Sequence, residues 1–309
     1  MARPSRIPHG VYASTILPMR QNGQIDHGAL AAHTAAVCAV PGIEGLLVNG
    51  HAGENAMIHR DEARAILKTA RAATPGRVLM AGINAETTAD ALALAADAEA
   101  EGADALMIFA PFSWMGGIDP RAVLAHHRAL HEASGLPIVL FKSSVAGGGM
   151  SFPPELMREL LALPRVAAIK EGSWETSAYD RTRRLARELR PDVAVMASGD
   201  EHLMTSFAIG TEGSIVSLAA VVPDLVVALY KAVKAADLRE AAALHARITP
   251  LAEAIYRDAP GGLVSARLKA CLSLMGRLES CHCRAPIGAL DAGEKSILRA
   301  ALDHALCPA

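Results

Sequence analysis

Short apolar runs alternate along this chain with longer stretches that carry apolar residues at helical spacing. The longer stretches begin with residues that are typical of helix starts, such as Asp26, Thr87, and Asp119 followed by Pro120. The pattern therefore predicts eight strands, each followed by a helix. The predicted strands are residues 11–17, 45–49, 78–82, 105–109, 138–141, 167–170, 193–198 and 213–217.

Strands separated by single helices form βαβ units, which build a parallel sheet. Eight such units favour a closed (β/α)8 barrel over a doubly wound sheet, which normally has fewer strands and a glycine-rich phosphate turn near its start. The strand pattern ends near residue 236. We predict an α/β fold in which residues 1–236 form a TIM barrel that carries the active site. Residues 237–309 then form a C-terminal helical extension, which packs on the barrel or builds an oligomer interface.

Composition narrows the class of protein. The 309 residues are 51% hydrophobic and carry a formal net charge of -2, which allows a large core and gives no electrostatic attraction to nucleic acid or to an anionic membrane. The first residues lack a signal-peptide pattern, and no apolar run is long enough for a membrane span. We expect a soluble, cytoplasmic enzyme.

The five cysteines are too few and too scattered for a disulfide framework, and we expect reduced thiols. Cys281-His282-Cys283 suggests zinc, but no second pair of ligands stands at the spacing of a zinc finger. We therefore predict no metal site.

In a (β/α)8 barrel the chemistry lies at the C-terminal ends of the strands. Lys170 ends the sixth predicted strand, where a buried lysine must find a partner or lose its proton. This position makes its amine a candidate nucleophile. The alternative is a solvated lysine at the border of a strand.

Three motifs, the second of which contains this lysine, follow one another in a fixed order. Residues 45–54 read Gly-Leu-Leu-Val-Asn-Gly-His-Ala-Gly-Glu, residues 169–173 read Ile-Lys-Glu-Gly-Ser, and residues 197–200 read Ala-Ser-Gly-Asp. Together with Pro18-Met19 and the helical tail, this set resembles the dihydrodipicolinate synthase / N-acetylneuraminate lyase family over nearly the whole chain.

The resemblance implies a (β/α)8 barrel, usually a tetramer, in which a lysine of the sixth strand forms a Schiff base with pyruvate or another 2-keto acid. Lys170 matches that lysine. The resulting iminium draws electrons from a neighbouring C–C or C–H bond, and this chemistry needs neither cofactor nor metal. To attack the ketone, the amine must be neutral, which requires a lowered pKa.

Several positions depart from the family pattern. His51 and Ala52 replace the usual hydroxyl residues, Phe141 replaces a proton-relaying tyrosine, and Ser113 falls near a tyrosine lent by a neighbouring subunit. The arginine that holds the aldehyde partner in the synthase would fall near Ala146. These changes argue against the synthase reaction itself. The predicted substrate-binding residues are Gly50, His51, Ala52, Ser113, Phe141 and Ser214, with backbone amides near Gly50 gripping the carboxylate.

Two residues that differ from the family pattern, His51 and Lys142, suggest compensation for the missing proton relay. We hypothesise that His51 acts as the acid/base and that Lys142 faces the same mouth and depresses the pKa of Lys170 by like-charge repulsion. The alternative is that Lys142 points outward and that His51 only fills a turn.

The sequence thus predicts a cofactor-free class I lyase acting on a small 2-keto acid through Lys170, with His51 and Lys142 as further catalytic residues. Two alternatives stay open: the 4-hydroxy-tetrahydrodipicolinate synthase reaction, and a non-catalytic barrel that binds a keto acid or a sugar acid. A homotetramer or homodimer is expected from the resemblance.

Overall fold

The computed structural model describes residues 7–256 and 263–307. Eight parallel strands close into a barrel in chain order. Their bounds are β1 Gly10–Ser14, β2 Ile43–Val48, β3 Val78–Ile83, β4 Ala105–Ile108, β5 Ile138–Lys142, β6 Val166–Glu171, β7 Ala194–Ala197 and β8 Gly213–Val216. The predicted (β/α)8 barrel is confirmed.

One helix follows each strand and covers the outside of the barrel. Helix starts carry the expected chemistry, since the side chain of Asp26 accepts the backbone N–H of Ala29 and that of Asp119 accepts the N–H of Arg121. The helices are α1 His27–Cys38, α2 Arg60–Ala73, α3 Thr88–Ala100, α4 Pro120–Ala133, α5 Pro154–Leu161, α6 Thr176–Leu189, α7 Leu203–Ile209 and α8 Pro223–Lys234.

The two faces of each strand are both buried, but in different cores. Val139 and Ala168 belong to an inner cluster that fills the barrel, whereas Leu140 and Ile169 pack against the surrounding helices. Because side chains alternate along a strand, the next inward positions on β5 and β6 are Phe141 and Lys170. The register of the two strands pairs Phe141 with Lys170, and Lys142 with Glu171.

Three more helices follow the barrel: α9 Leu238–Tyr256, α10 Val264–Leu274 and α11 Ala292–Leu306. Helix α9 packs against α8 and α11 and reaches the short 3-10 turn Asp200–His202 that follows β7. Helix α10 packs against the 3-10 turn His51–Gly53 that follows β2. The C-terminal helices therefore contact two of the turns at the C-terminal ends of the barrel strands.

No helix formed by residues 7–256 or 263–307 has both the length and the apolar character required to cross a membrane.

Candidate active site

A cavity of about 410 Å³ opens at the C-terminal end of the barrel. Residues at or just beyond the ends of several strands line it, among them Ser14, Phe141, Lys170, Ser198 and Ser217. We call it the Lys170 cavity. Its position is the one at which barrels of this kind carry their chemistry.

Lys170 reaches into this cavity from β6 with only 8% of its surface exposed. Its ammonium nitrogen lies 5.3 Å from the centroid of the Phe141 ring. Desolvation lowers the pKa of Lys170 to about 8, although the negative charge of Asp200 partly opposes the shift. Roughly a tenth of the lysine is therefore neutral at pH 7, far more than for an exposed lysine.

Asp200 faces Lys170 from the turn after β7. Its Oδ1 accepts the backbone N–H of Leu218 at 2.8 Å, which fixes the carboxylate. Burial raises the pKa of Asp200 to about 6, against the opposing effects of the Leu218 hydrogen bond and the Lys170 charge. A carboxyl group with this pKa can exchange a proton near neutral pH.

Tyr256, the last residue of α9, brings a phenol into the same cavity. Its hydroxyl lies 2.5 Å from Ser217 Oγ and is close enough to Asp200 for the two groups to affect each other's pKa. Its ring packs against Trp174 at a centroid distance of 5.7 Å. Burial and the neighbouring Asp200 charge raise the pKa of Tyr256 well above its ordinary value, which keeps the phenol protonated.

His51 also lines the cavity, as its strand-end position predicted. Its Nδ1 lies 3.1 Å from Asn55 Oδ1. Its ring is tilted against Phe109 and meets Phe141 edge-on, at centroid distances of 4.4 and 5.5 Å. The His51 side chain is partly exposed. Desolvation by the surrounding residues nevertheless lowers its pKa to about 4, and the positive charge of Lys170 lowers it further. The imidazole is neutral at pH 7, and with Nδ1 donating to Asn55 its Nε2 is left as a hydrogen-bond acceptor.

Gly50 and Ala52 shape the turn beneath His51. A Cβ at Gly50 would lie only 3.2 Å from Ser14 Oγ and 3.1 Å from a Leu47 methyl, which explains the absence of a side chain there. Ala52 lines the cavity. As the first amides of a 3-10 turn, the N–H groups of His51 and Ala52 have no acceptor within that turn.

Lys142 does not join this site. It is the outward neighbour of Phe141 on β5, and its Nζ donates to Glu171 Oε1 at 3.1 Å and to Thr182 Oγ1 at 2.7 Å. These partners lie between the barrel and α6, on the opposite side of the strand from Lys170. The hypothesis that Lys142 depresses the pKa of Lys170 is not supported by this placement, and burial accounts for the shift instead.

Two predicted substrate-binding serines also lie elsewhere. Ser214 is fully buried on the outer side of β8, because its neighbour Ile215 belongs to the inner cluster. Ser113 is exposed in the turn Phe112–Gly116, where its backbone N–H donates to Glu86. Phe112, its neighbour, lines the cavity in its place.

Several lining residues were absent from the predicted set. Ser14, Ser198 and Ser217 stand at or beside strand ends, a position that could have indicated them. Ser198 and Asp200 belong to the Ala-Ser-Gly-Asp motif at the end of the seventh strand, a position expected at the mouth, but the sequence assigned them no role. Tyr256 carried no local signal, because it belongs to a helix outside the barrel and reaches the cavity only through tertiary packing.

The sequence of the chain was compared with those of known proteins and protein families. Residues 7–305 match the dihydrodipicolinate synthetase family. The chain is 32% identical over 278 residues to 4-hydroxy-tetrahydrodipicolinate synthase 1 of Streptomyces coelicolor, covering 89% of this chain and 87% of the relative. It is 29% identical to N-acetylneuraminate lyase of Rhizobium meliloti, covering 95% and 94% of the two chains.

A solved structure shows the same fold. YagE, a prophage protein of Escherichia coli K12 determined in complex with pyruvate, superimposes with a TM-score of 0.88. The match covers 96% of this chain and 98% of YagE at 20% sequence identity. At this identity the likeness concerns the fold.

Proposed function

The chain belongs to the dihydrodipicolinate synthetase family, and on that premise we propose that it is a class I lyase forming a Schiff base between Lys170 and pyruvate or another small 2-keto acid. The observation that carries the proposal is the buried amine of Lys170, with its pKa near 8, at the end of β6 in the Lys170 cavity. Catalytic lysines of this kind need such a lowered pKa.

The first step is attack of the neutral amine on the ketone carbon. A C–N bond forms, water leaves, and the product is a cationic iminium. The substrate carboxylate is held by the backbone amides of His51 and Ala52, and the neutral His51 ring accepts a hydrogen bond through Nε2. The adjacent C–C or C–H bond can then break, with its electron pair passing to the iminium nitrogen to give an enamine. Retro-aldol cleavage, condensation and dehydration all proceed through this intermediate.

Borohydride reduction tests the proposal. Incubation with pyruvate and with a panel of other 2-keto acids, followed by reduction and peptide mass spectrometry, should give an adduct of keto-acid mass on Lys170. Lys170→Met should abolish it, whereas Lys231→Met, which changes an exposed lysine of α8, should not. If folded wild-type protein bound a keto acid without forming any adduct, the non-catalytic binding barrel would replace this proposal.

A second candidate is the 4-hydroxy-tetrahydrodipicolinate synthase reaction, which the similarity to the Streptomyces coelicolor protein favours. Against it, no arginine is among the described residues that line the cavity, and Phe141 has no phenolic hydroxyl. Turnover of pyruvate with aspartate semialdehyde decides between the two. Assembly as a homotetramer or homodimer stays a prediction, which light scattering in solution tests.

A further inference from the structure

Formation and breakdown of the enamine require an acid/base in the cavity. His51, which the sequence suggested for this task, has its pKa lowered to about 4 and is therefore a weak base at neutral pH, and Phe141, in the place of the family's tyrosine, carries no proton. Among the described lining residues, Tyr256 supplies the only phenol. It stands between two polar groups, Ser217 on one side and Asp200 on the other.

We propose that Tyr256 and Asp200 form the proton relay of this enzyme, with the phenol of Tyr256 as the group that touches the substrate. This inference rests on the proposed Schiff base at Lys170. The C-terminal helical extension would then complete the catalytic machinery, because Tyr256 belongs to α9 and Asp200 to the barrel.

The relay works by exchange of protons. When the iminium of pyruvate becomes an enamine, the C3–H bond breaks and its electron pair forms the C2=C3 bond, while the C2=N pair moves to nitrogen. The released proton goes to the Tyr256 oxygen as Tyr256 passes its own proton to the Asp200 carboxylate. The phenol never has to ionise, which agrees with its raised pKa, and Asp200 titrates at about 6. The reverse transfer returns the proton to carbon.

Two hydrogen bonds hold the relay in place. Leu218 N–H fixes one oxygen of Asp200 at 2.8 Å, and Ser217 Oγ lies 2.5 Å from the Tyr256 oxygen. The Asp200 carboxylate lies close enough to the Tyr256 phenol for each group to shift the pKa of the other. When Tyr256 donates to Asp200, Ser217 must be the donor to Tyr256, which leaves one acceptor site of the phenol oxygen for the substrate proton.

Exchange of the pyruvate methyl hydrogens in D₂O, followed by NMR, measures this step without a second substrate. We expect Tyr256→Phe to keep the borohydride adduct on Lys170 and to slow the exchange by about 100-fold or more. Tyr230→Phe, which removes a phenol that donates to Glu212 O away from the cavity, is the matched control and should exchange at the wild-type rate.

Asp200→Asn keeps the oxygen that binds Leu218 but cannot take a proton. It should slow exchange as strongly as Tyr256→Phe, and the double variant should be no slower than either, since the residues act as a unit. Exchange at the wild-type rate in Tyr256→Phe would overturn the relay. Should that variant fail to fold, the same result in Asp200→Asn would overturn it. Absence of the adduct in the wild type would instead overturn the Schiff base.

A different observation, the apolar walls of the cavity, indicates the class of the second substrate. Six apolar side chains form much of its lining: Met57, Phe112, Phe141, Trp174, Val264 and Ile287. Within residues 7–256 and 263–307, Lys170 is the only lysine or arginine of the lining, and the Glu54 carboxylate is already paired with Lys269.

We infer that the aldehyde that is released or condensed is apolar, aromatic or branched aliphatic. A carboxylate on this partner would meet no lysine or arginine other than Lys170 among the described lining residues, and a polar group placed against the six apolar side chains would lose its hydrogen bonds to water, which is costly. In the condensation, enamine C3 bonds to the aldehyde carbon, the aldehyde oxygen takes a proton, and water then releases a 4-hydroxy-2-keto acid and the free amine.

Competition among aldehydes tests this inference. With pyruvate as donor, kcat/KM for benzaldehyde should exceed that for succinic semialdehyde and for glyceraldehyde by at least about 10-fold. Met57→Arg, which places a cation in the wall, should move the preference toward succinic semialdehyde. A wild-type preference for either polar aldehyde would overturn the inference and leave the Lys170 adduct, measured separately, unaffected.

Discussion

Two opposing effects set the reactivity of Lys170. Removal from water favours the neutral amine, whereas the Asp200 carboxylate favours the ammonium. Desolvation is the larger effect, and the resulting pKa of about 8 leaves a useful neutral fraction without making the lysine permanently uncharged. Burial likewise raises the pKa of Asp200 to about 6, because it outweighs the opposing effects of the Leu218 hydrogen bond and the lysine charge.

Replacing Asp200 with Asn should therefore lower the pKa of Lys170 further. The rate of borohydride trapping as a function of pH should show a midpoint near 8 in the wild type and a lower midpoint in Asp200→Asn, because the anion that holds the proton is gone. Asp224→Asn, an exposed change at the start of α8, should leave the midpoint where it is. A midpoint that stayed constant or rose in Asp200→Asn would contradict the electrostatic interaction between Asp200 and Lys170.

Among the elements, the C-terminal helices hold the strand-end turns in position. Glu54 follows the His51 turn in a left-handed conformation with φ of 57°, and its carboxylate is paired with Lys269 of α10. Both side chains are fully buried. The second carboxylate oxygen accepts Arg284 N–H at 2.9 Å, and Lys269 also donates to His282 O at 2.7 Å. The Glu54 carboxylate thus joins the turn after β2 to α10 and to the segment beyond it.

Lys269→Met should destabilise the protein by about 3–5 kcal/mol, because a buried carboxylate loses its partner. The free energy of unfolding in urea measures the effect. Lys269→Met combined with Glu54→Gln should recover part of the loss, since no uncompensated charge then remains buried. Arg121→Met, which breaks an exposed ion pair with Asp119, should change stability little. If Lys269→Met were as stable as the wild type, the turn after β2 would not depend on the Glu54–Lys269 pair.

For the whole molecule, buried histidines make stability depend on pH. His127 of α4 is fully buried, with Nδ1 2.8 Å from Val123 O, and desolvation lowers its pKa to about 4. His33 of α1 is similarly buried and has a pKa of about 4 for the same reason. The unfolded chain binds protons at these residues near their ordinary pKa of 6.5, whereas the folded protein does not until about pH 4. Stability is therefore present in full above pH 6.5 and is lost as the pH falls toward 4.

His127→Gln should reduce this acid sensitivity. Between pH 7 and pH 5, the wild type should lose about 2 kcal/mol more unfolding free energy than the variant does, since one titrating group is absent. Urea unfolding at the two pH values provides the comparison. His27→Gln, at an exposed histidine, should follow the wild type. Equal losses in wild type and His127→Gln would mean that the ring is protonated in the folded state.

The barrel, the C-terminal helices and the strand-end place of Lys170 could all be predicted from the sequence. Alternation of apolar strands with helices requires a parallel sheet, and a parallel barrel presents its strand ends at one mouth. The sequence could not show toward which side of their strands Lys142 and Ser214 point. Strands that are buried on both faces are apolar along their whole length. Polar and apolar residues therefore do not alternate in a way that would identify the side facing the inside of the barrel.

Closure of the barrel fixes the inner side of each strand. The register of β5 and β6 aligns Phe141 with Lys170 and turns Lys142 toward Glu171. It also brought Tyr256 beside Asp200 and Ser217. That contact depends on how α9 docks on the barrel, a long-range packing arrangement that no local pattern records.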